Sequence, residues 1–245
     1  MGPAVKPLAR GISPVEILVG LGLSLALVAG MGQLMASTRQ AGRGESAQAQ
    51  AQDSGRLALE LLSRELRKAG YRSDRQISQE VLFPADAGFV AGAALRGDSQ
   101  SLVLRYLGTG DVWTRSCLGT DVARGAMVVQ TLSVQNAELR CRQQNLATGS
   151  DTTQALMSNV EALALSYGID VNGDGYADRY ATASAVTDWT RVASINIHLR
   201  TVASDQHVLA EPQAYVDVDG QLVTPPDRRL RRVFSTVVAI RNRLP

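Results

Sequence analysis

Three places in the chain hold side chains whose types and spacing could do chemistry. The first is Asp170-Val171-Asn172-Gly173-Asp174-Gly175-Tyr176-Ala177-Asp178, with oxygen-bearing side chains at positions 1, 3, 5 and 9 of the run and glycine at 6. An EF-hand-type calcium loop uses this spacing, with a main-chain carbonyl at position 7, here that of Tyr176. The twelfth position is Ala181 rather than a bidentate glutamate, and no helical pattern flanks the run. Calcium would therefore bind weakly, at best in the ~10⁻⁴–10⁻³ M range of extracellular modules, with water or a later residue such as Asp188 completing the shell. The other reading is a polar turn built on Asn-Gly and Asp-Gly that links two strands.

The second place is the pair Cys117 and Cys141, the only cysteines present. A disulfide between them would close a loop of about 25 residues, which contributes on the order of 3 kcal/mol in the loop-entropy account. Two free thiols, or a metal pair, are the alternatives. Only two histidines, His198 and His207, and no Cys-x-x-Cys accompany them, which makes sulfur ligation of a metal a poor fit. No phosphate-binding glycine loop, Gly-x-Ser-x-Gly elbow or His-Glu-x-x-His is found, so the expectation is a protein that is not an enzyme.

Glu16 is the third. It is the single charged side chain in the 25 residues from Ile12 to Ala36. That stretch suits one helical crossing of a bilayer, which needs roughly 20 apolar residues. A carboxylate inside it costs about 2.5–3.5 kcal/mol on insertion scales and so calls for a partner once assembled. Lys6 and Arg10 precede the span and a long polar region follows it. That order places the N-terminus in the cytoplasm and the rest of the chain outside the inner membrane, where an oxidising compartment favours the disulfide.

The elements that must position these groups follow from periodicity. From about Ser13 to Ala69 no break interrupts a helical texture, and its second half is rich in Ala, Gln, Arg, Glu and Leu. Leu59, Leu62, Leu66 and Ala69 share one face, Glu60 and Arg64 stand at i,i+4, and Gly70 follows the last cations as a left-handed cap. Beyond Gly70 the texture changes to alternation. Leu102, Leu104 and Tyr106 alternate with Val103, Arg105 and Leu107, and residues 126–141 read as one or two strands. Ile195, Ile197 and Leu199 oppose Asn196, His198 and Arg200, while Phe234, Thr236, Val238 and Ile240 form a last strand. Asp219-Gly220 reads as a two-residue hairpin turn within a proline-bearing loop over 203–230.

Arg10-Gly11-Ile12-Ser13-Pro14-Val15-Glu16 and the apolar span resemble the class III signal of type IV prepilins and pseudopilins. The resemblance implies cleavage by a prepilin peptidase between Gly11 and Ile12, N-methylation of Ile12, and a Glu16 that pairs with a neighbouring subunit's N-terminal amine. Pro14 departs from the commonest form of the signal, but the first turn of a helix tolerates proline. Several further stretches resemble the PilW-type minor pilins: the helix end 65–71, the segment from Tyr167 to Tyr180, Trp189 with Arg191 and Val192, and the ending 231–242. The helix end is shared with the J-type pseudopilin of type II secretion.

The resemblance implies an α+β, pilin-like fold: a long N-terminal helix, membrane-spanning in its first half, packed on an antiparallel β-sheet head. The boundaries expected are a leader over 1–11, a transmembrane or fibre-core helix over 12–36, its amphipathic continuation over 37–70, and a periplasmic head over 71–245. The implied function is a minor pilin in the priming complex of type IV pilus assembly, at the fibre tip and incorporated into the extracellular pilus. Implied partners are other minor pilins, the major pilin, a PilY-type tip adhesin, the prepilin peptidase and the inner membrane. A J-type pseudopilin and a membrane-anchored periplasmic enzyme are the competing readings. Nucleic acid is not an expected partner. Once the leader's two cations are set aside, 23 basic and 23 acidic side chains balance, so the pI near 8.7 belongs largely to the leader.

Overall fold

The computed structural model describes residues 13–74 and 76–243. Two compact units divide the chain after Ser46. The described part of the first unit is the beginning of helix α1, which runs Pro14–Leu66. Ser13 starts it: its carbonyl accepts from Glu16 N (2.9 Å) and Ile17 N (3.2 Å), and its hydroxyl accepts from Val15 N (3.3 Å). Pro14 falls at the first helical position, where the missing N–H costs no intrahelical bond. Large apolar side chains from Val15 to Met35 are exposed. The helix is long and apolar enough to cross a membrane, compatible with a single-pass anchor.

In the second unit the remainder of α1 buries Ala47, Ala51, Gly55, Ala58, Leu62, Glu65 and Leu66. Gly55 is small because β11 (Arg231–Ala239) comes close: a Cβ there would collide with the Phe234 ring. Leu62, Leu66 and Ala69 are buried as their spacing predicts, and Leu59 is partly so. The helix ends at Leu66, and Gly70 takes a left-handed φ of +70°. Orphan carbonyls at this end are met from the far end of the chain, where the Asn242 amide donates to Arg67 O (2.7 Å) and Ala69 O (3.2 Å). The expected Glu60–Arg64 pair gives way to a contact of Arg64 with Glu65 at 3.4 Å.

Two antiparallel sheets share the core with the helix. The first is a meander of β1 (Leu95–Gly97), β2 (Ser101–Leu107), β3 (Met127–Gln135), β4 (Glu138–Asn145) and β5 (Ser150–Ser158). Residues 126–141 thus hold one strand and the start of another, joined at Asn136-Ala137, both with positive φ (54° and 55°). The second sheet has the order β11-β8-β6-β7, with β6 Val160–Ile169, β7 Arg179–Ala181 and β8 Val192–Val202. Ala58, Leu62 and Leu66 join Leu104, Leu132 and Leu139 of one sheet and Leu163, Ile195 and Ile197 of the other in one apolar cluster.

Two expectations change in detail. Strand β2 is buried on both faces rather than one, because the segment around α2 (Gln79–Leu82) covers the outer face with Phe89 and Ala93 against Val103 and Val129. The hairpin at Asp219-Gly220 is a three-residue connection. Strands β9 (Tyr215–Val216) and β10 (Leu222–Val223) are extended by Asp217 N donating to Gln221 O (2.8 Å), and Gly220 takes φ +81°.

Candidate functional site

Gly11 and Ile12 lie outside the described residues. Glu16 sits exposed in the first turn of α1, where the positive end of the helix dipole favours a carboxylate.

The Asp170–Asp178 run is the hairpin loop between β6 and β7, closed by the Ile169↔Arg179 pair. Asp170 is buried, and its two carboxylate oxygens accept from Gly173 N (2.6 Å) and Gly175 N (2.9 Å). Both glycines take left-handed φ, +84° and +91°, which aims their N–H groups inward. Asp178 accepts from Val171 N at 2.6 Å, while Tyr176 N donates to Asp174 at 2.8 Å. The Asn172 side-chain NH2 stands between two carboxylates, 3.1 Å from Asp174 and 3.4 Å from Asp178. Hard oxygen donors at the expected positions are thus gathered on one short loop, and that donor chemistry fits calcium. They are not arranged as a coordination shell: among the described residues no group of three or more His, Cys, Asp or Glu side chains is set to hold a metal. The loop is held by amide–carboxylate bonds instead.

Cys117 and Cys141 form a disulfide, Cα–Cα 6.5 Å, that ties the loop after β2 onto β4. Beside it lies a buried polar cluster that periodicity did not show. Glu65, fully buried, accepts from Lys68 Nζ at 2.6 Å, and the same amine donates to Arg115 O at 2.6 Å. With the Gln130 amide turned to satisfy its neighbours, its NH2 donates to Glu65 (3.0 Å), and its oxygen accepts from Tyr106 Oη (3.0 Å) and Cys117 N (2.7 Å). Burial pushes the Lys68 pKa down, opposed by the Glu65 charge, and burial with the same charge raises that of Tyr106.

A second cluster missed by sequence reasoning joins strands and loop. Arg231 bridges Glu161 (2.8 Å) and Asp227 (2.6 Å), and Arg200 meets Glu161 (3.3 Å) and Asp217. The hydrogen bond from Arg231 holds the Asp227 carboxyl down at about 2. These partners come from β6, β8, β11 and residues 217 and 227 of the 203–230 loop; apart from Asp227 and Arg231, four positions apart, no local spacing could signal them. His198 lies on β8 with its ring beside the Asn196 amide (3.1 Å).

Residues 126–242 match the family described as PilW, type IV pilus-assembly protein W. The match spans 117 of the 245 residues, a little under half of the chain. The PilW region takes in β3 through β11, the Asp170–Asp178 loop and the Asn242 that caps α1. It supports a minor pilin of the type IV pilus, a structural subunit. Among solved structures, a type IV-like pilin from Thermus thermophilus is similar at 17% identity and a TM-score of 0.47, covering 79% of this chain and 97% of that one. No curated protein matches.

Proposed function

We propose that the chain is a minor pilin of the priming complex that starts type IV pilus polymerisation, staying at the fibre tip with other minor pilins beneath a PilY-type adhesin. The observation that carries this is the PilW region 126–242 in a chain that also bears an exposed apolar helix headed by Glu16. Apolar surface of that extent must be covered, first by lipid and then by other helices in the fibre, at roughly 25 cal/mol per Å². A prepilin peptidase cleaves between Gly11 and Ile12, and the new amine neutralises the Glu16 of a neighbour when both leave the high-dielectric side of the membrane. The boundaries that go with this are leader 1–11, core helix 12–36, continuation 37–70 and periplasmic head 71–245.

The test is a deletion in the native host complemented with wild type or Glu16→Ala. Pilus counts should fall on deletion and return only with wild type, and mass spectrometry should find an N-methylated Ile12. Intact piliation with lost protein secretion would instead identify the J-type pseudopilin.

The same proposal assigns one weakly held calcium ion to the 170–178 loop, supported by the 1-3-5-9 oxygens and the paired left-handed glycines. Calcium that binds only the folded form raises its stability by RT ln(1 + [L]/Kd), so millimolar calcium should raise Tm and Asp174→Ala should abolish the rise. A calorimetric titration without calcium heat, together with a Tm insensitive to chelator, makes the loop a polar turn only.

A further inference from the structure

A cleft of about 600 Å³ opens between the C-terminal end of α1 and the loop that carries Cys117. One wall is made by Val112 and Trp113, which are 65% and 80% exposed. A tryptophan left that open normally finds a cover, since burying an aromatic ring is among the largest apolar gains a side chain can make. Its presentation is rigid. Asp111 caps the short turn by accepting from Trp113 N (3.0 Å) and Thr114 N (3.3 Å). Thr109 N donates to the buried Thr114 hydroxyl (3.0 Å), Gly110 N donates to Val122 O (3.2 Å), and the disulfide fixes the loop behind. Little conformational entropy remains to be lost when a partner covers the ring, and tryptophan and arginine are the side chains that most often dominate binding energy.

The charge around the cleft is one-sided. Arg64, Arg67 and Arg115 stand at its rim, and the one carboxylate on its wall, Glu65, is fully buried and paired with Lys68 at 2.6 Å and more loosely with Arg64 at 3.4 Å. Arg115 also touches Asp121, itself outside the wall. A cationic rim around an apolar floor selects for anionic groups flanked by apolar ones.

We propose that this cleft docks an acidic segment of a partner protein, whose carboxylates engage Arg64, Arg67 and Arg115 while an apolar side chain packs on Val112 and Trp113. The proposal concerns the head alone and goes beyond the pilus role. A host with normal piliation would leave it standing, and its own failure would leave the pilus role untouched.

The test uses the full chain in phosphatidylcholine nanodiscs. The probe is a capped octapeptide of alternating Glu and Leu, with Lys–Leu and Glu–Ser octapeptides as controls and tryptophan emission as readout. The Glu–Leu peptide should shift the emission to the blue, saturably, and bind at least about tenfold more tightly than either control. Arg67→Glu combined with Arg115→Glu should weaken it by about tenfold or more at unchanged Tm, as should raised salt. Trp113→Ala should remove the emission change, because the other tryptophan, Trp189, packs edge-on against Tyr167 at 4.9 Å. Equal binding of the Lys–Leu peptide, full binding by Trp113→Ala measured calorimetrically, or no response at millimolar peptide overturns the proposal. So does a shift produced by adding phosphatidylglycerol to the nanodiscs and not by peptide, which would make the face a membrane-surface contact.

Discussion

Replacing Arg105 should loosen one identifiable part of the head. Its side chain is buried inside β2, yet its guanidinium faces no carboxylate in salt-bridge contact among the described residues. It donates instead to four main-chain carbonyls: Ala93 O (2.7 Å), Pro84 O (2.6 Å), Phe83 O (3.0 Å) and Val90 O (3.1 Å). The rings of Phe83 and Phe89 lie 5.4 and 4.5 Å from its guanidinium carbon. Burial pushes its pKa down to about 10, which leaves it charged at neutral pH. Arg105→Met keeps the apolar stem but strands the carbonyls, each at roughly 1–3 kcal/mol when buried and unmet. The desolvation cost of the guanidinium is recovered in the same step, so the net loss should be about 3–5 kcal/mol, well under the sum for four unmet acceptors. For a domain of this size that lowers Tm by roughly 10 °C. Arg105→Lys, whose ammonium cannot reach all four acceptors, should fall between. Urea unfolding of the full chain followed by near-ultraviolet circular dichroism gives the free energy. Because all four acceptors belong to residues 83–93, amide exchange there should rise first while β8 keeps its protection. A loss under about 1 kcal/mol, or unchanged exchange over 83–93, would refute the reasoning.

Removing the disulfide with Cys117→Ser plus Cys141→Ser should cost about 2–5 kcal/mol, read as a lower urea midpoint with the head still folded. Gly55→Val should destabilise by about 1–3 kcal/mol through collision with Phe234, and adding Phe234→Ala should restore part of the loss; no restoration would show that the contact is not the cause. The low Asp227 pKa contributes stability that is present above the ordinary carboxylate range and is lost as pH falls from about 4 through about 2. Asp227→Asn should therefore flatten that acid arm, and an unchanged acid limb refutes the assignment.

The sequence by itself determined whatever depends on neighbours in the chain. The start of α1 at Ser13-Pro14, the apolar run behind Glu16, the inward face of β8 at Ile195, Ile197 and Leu199, and the nine-residue loop after Ile169 are set by caps, composition and alternation. Strands β5 and β6 are absent from the sequence reading for different reasons: β5 is an edge of mostly exposed polar residues, whereas β6 does carry a period-2 pattern, with Leu163, Leu165, Tyr167 and Ile169 buried. Tertiary structure alone decided the fate of the charged groups. Alternation put Arg105 on the outer face of its strand, but residues 83–93, without periodicity of their own, fold over that face and turn it into core. Glu65 and Lys68, at the end of α1, are enclosed by β2, β3 and the disulfide loop, where leaving them unpaired would cost more than ordering them. Within the Glu161–Arg231–Asp227 chain, the Glu161–Arg231 link joins residues 70 positions apart, which only the pairing of β6, β8 and β11 brings within reach. Hydrogen bonds and ion pairs act over a few ångströms, so spacing along the chain can reveal those made within one turn or one hairpin and is blind to those made by folding.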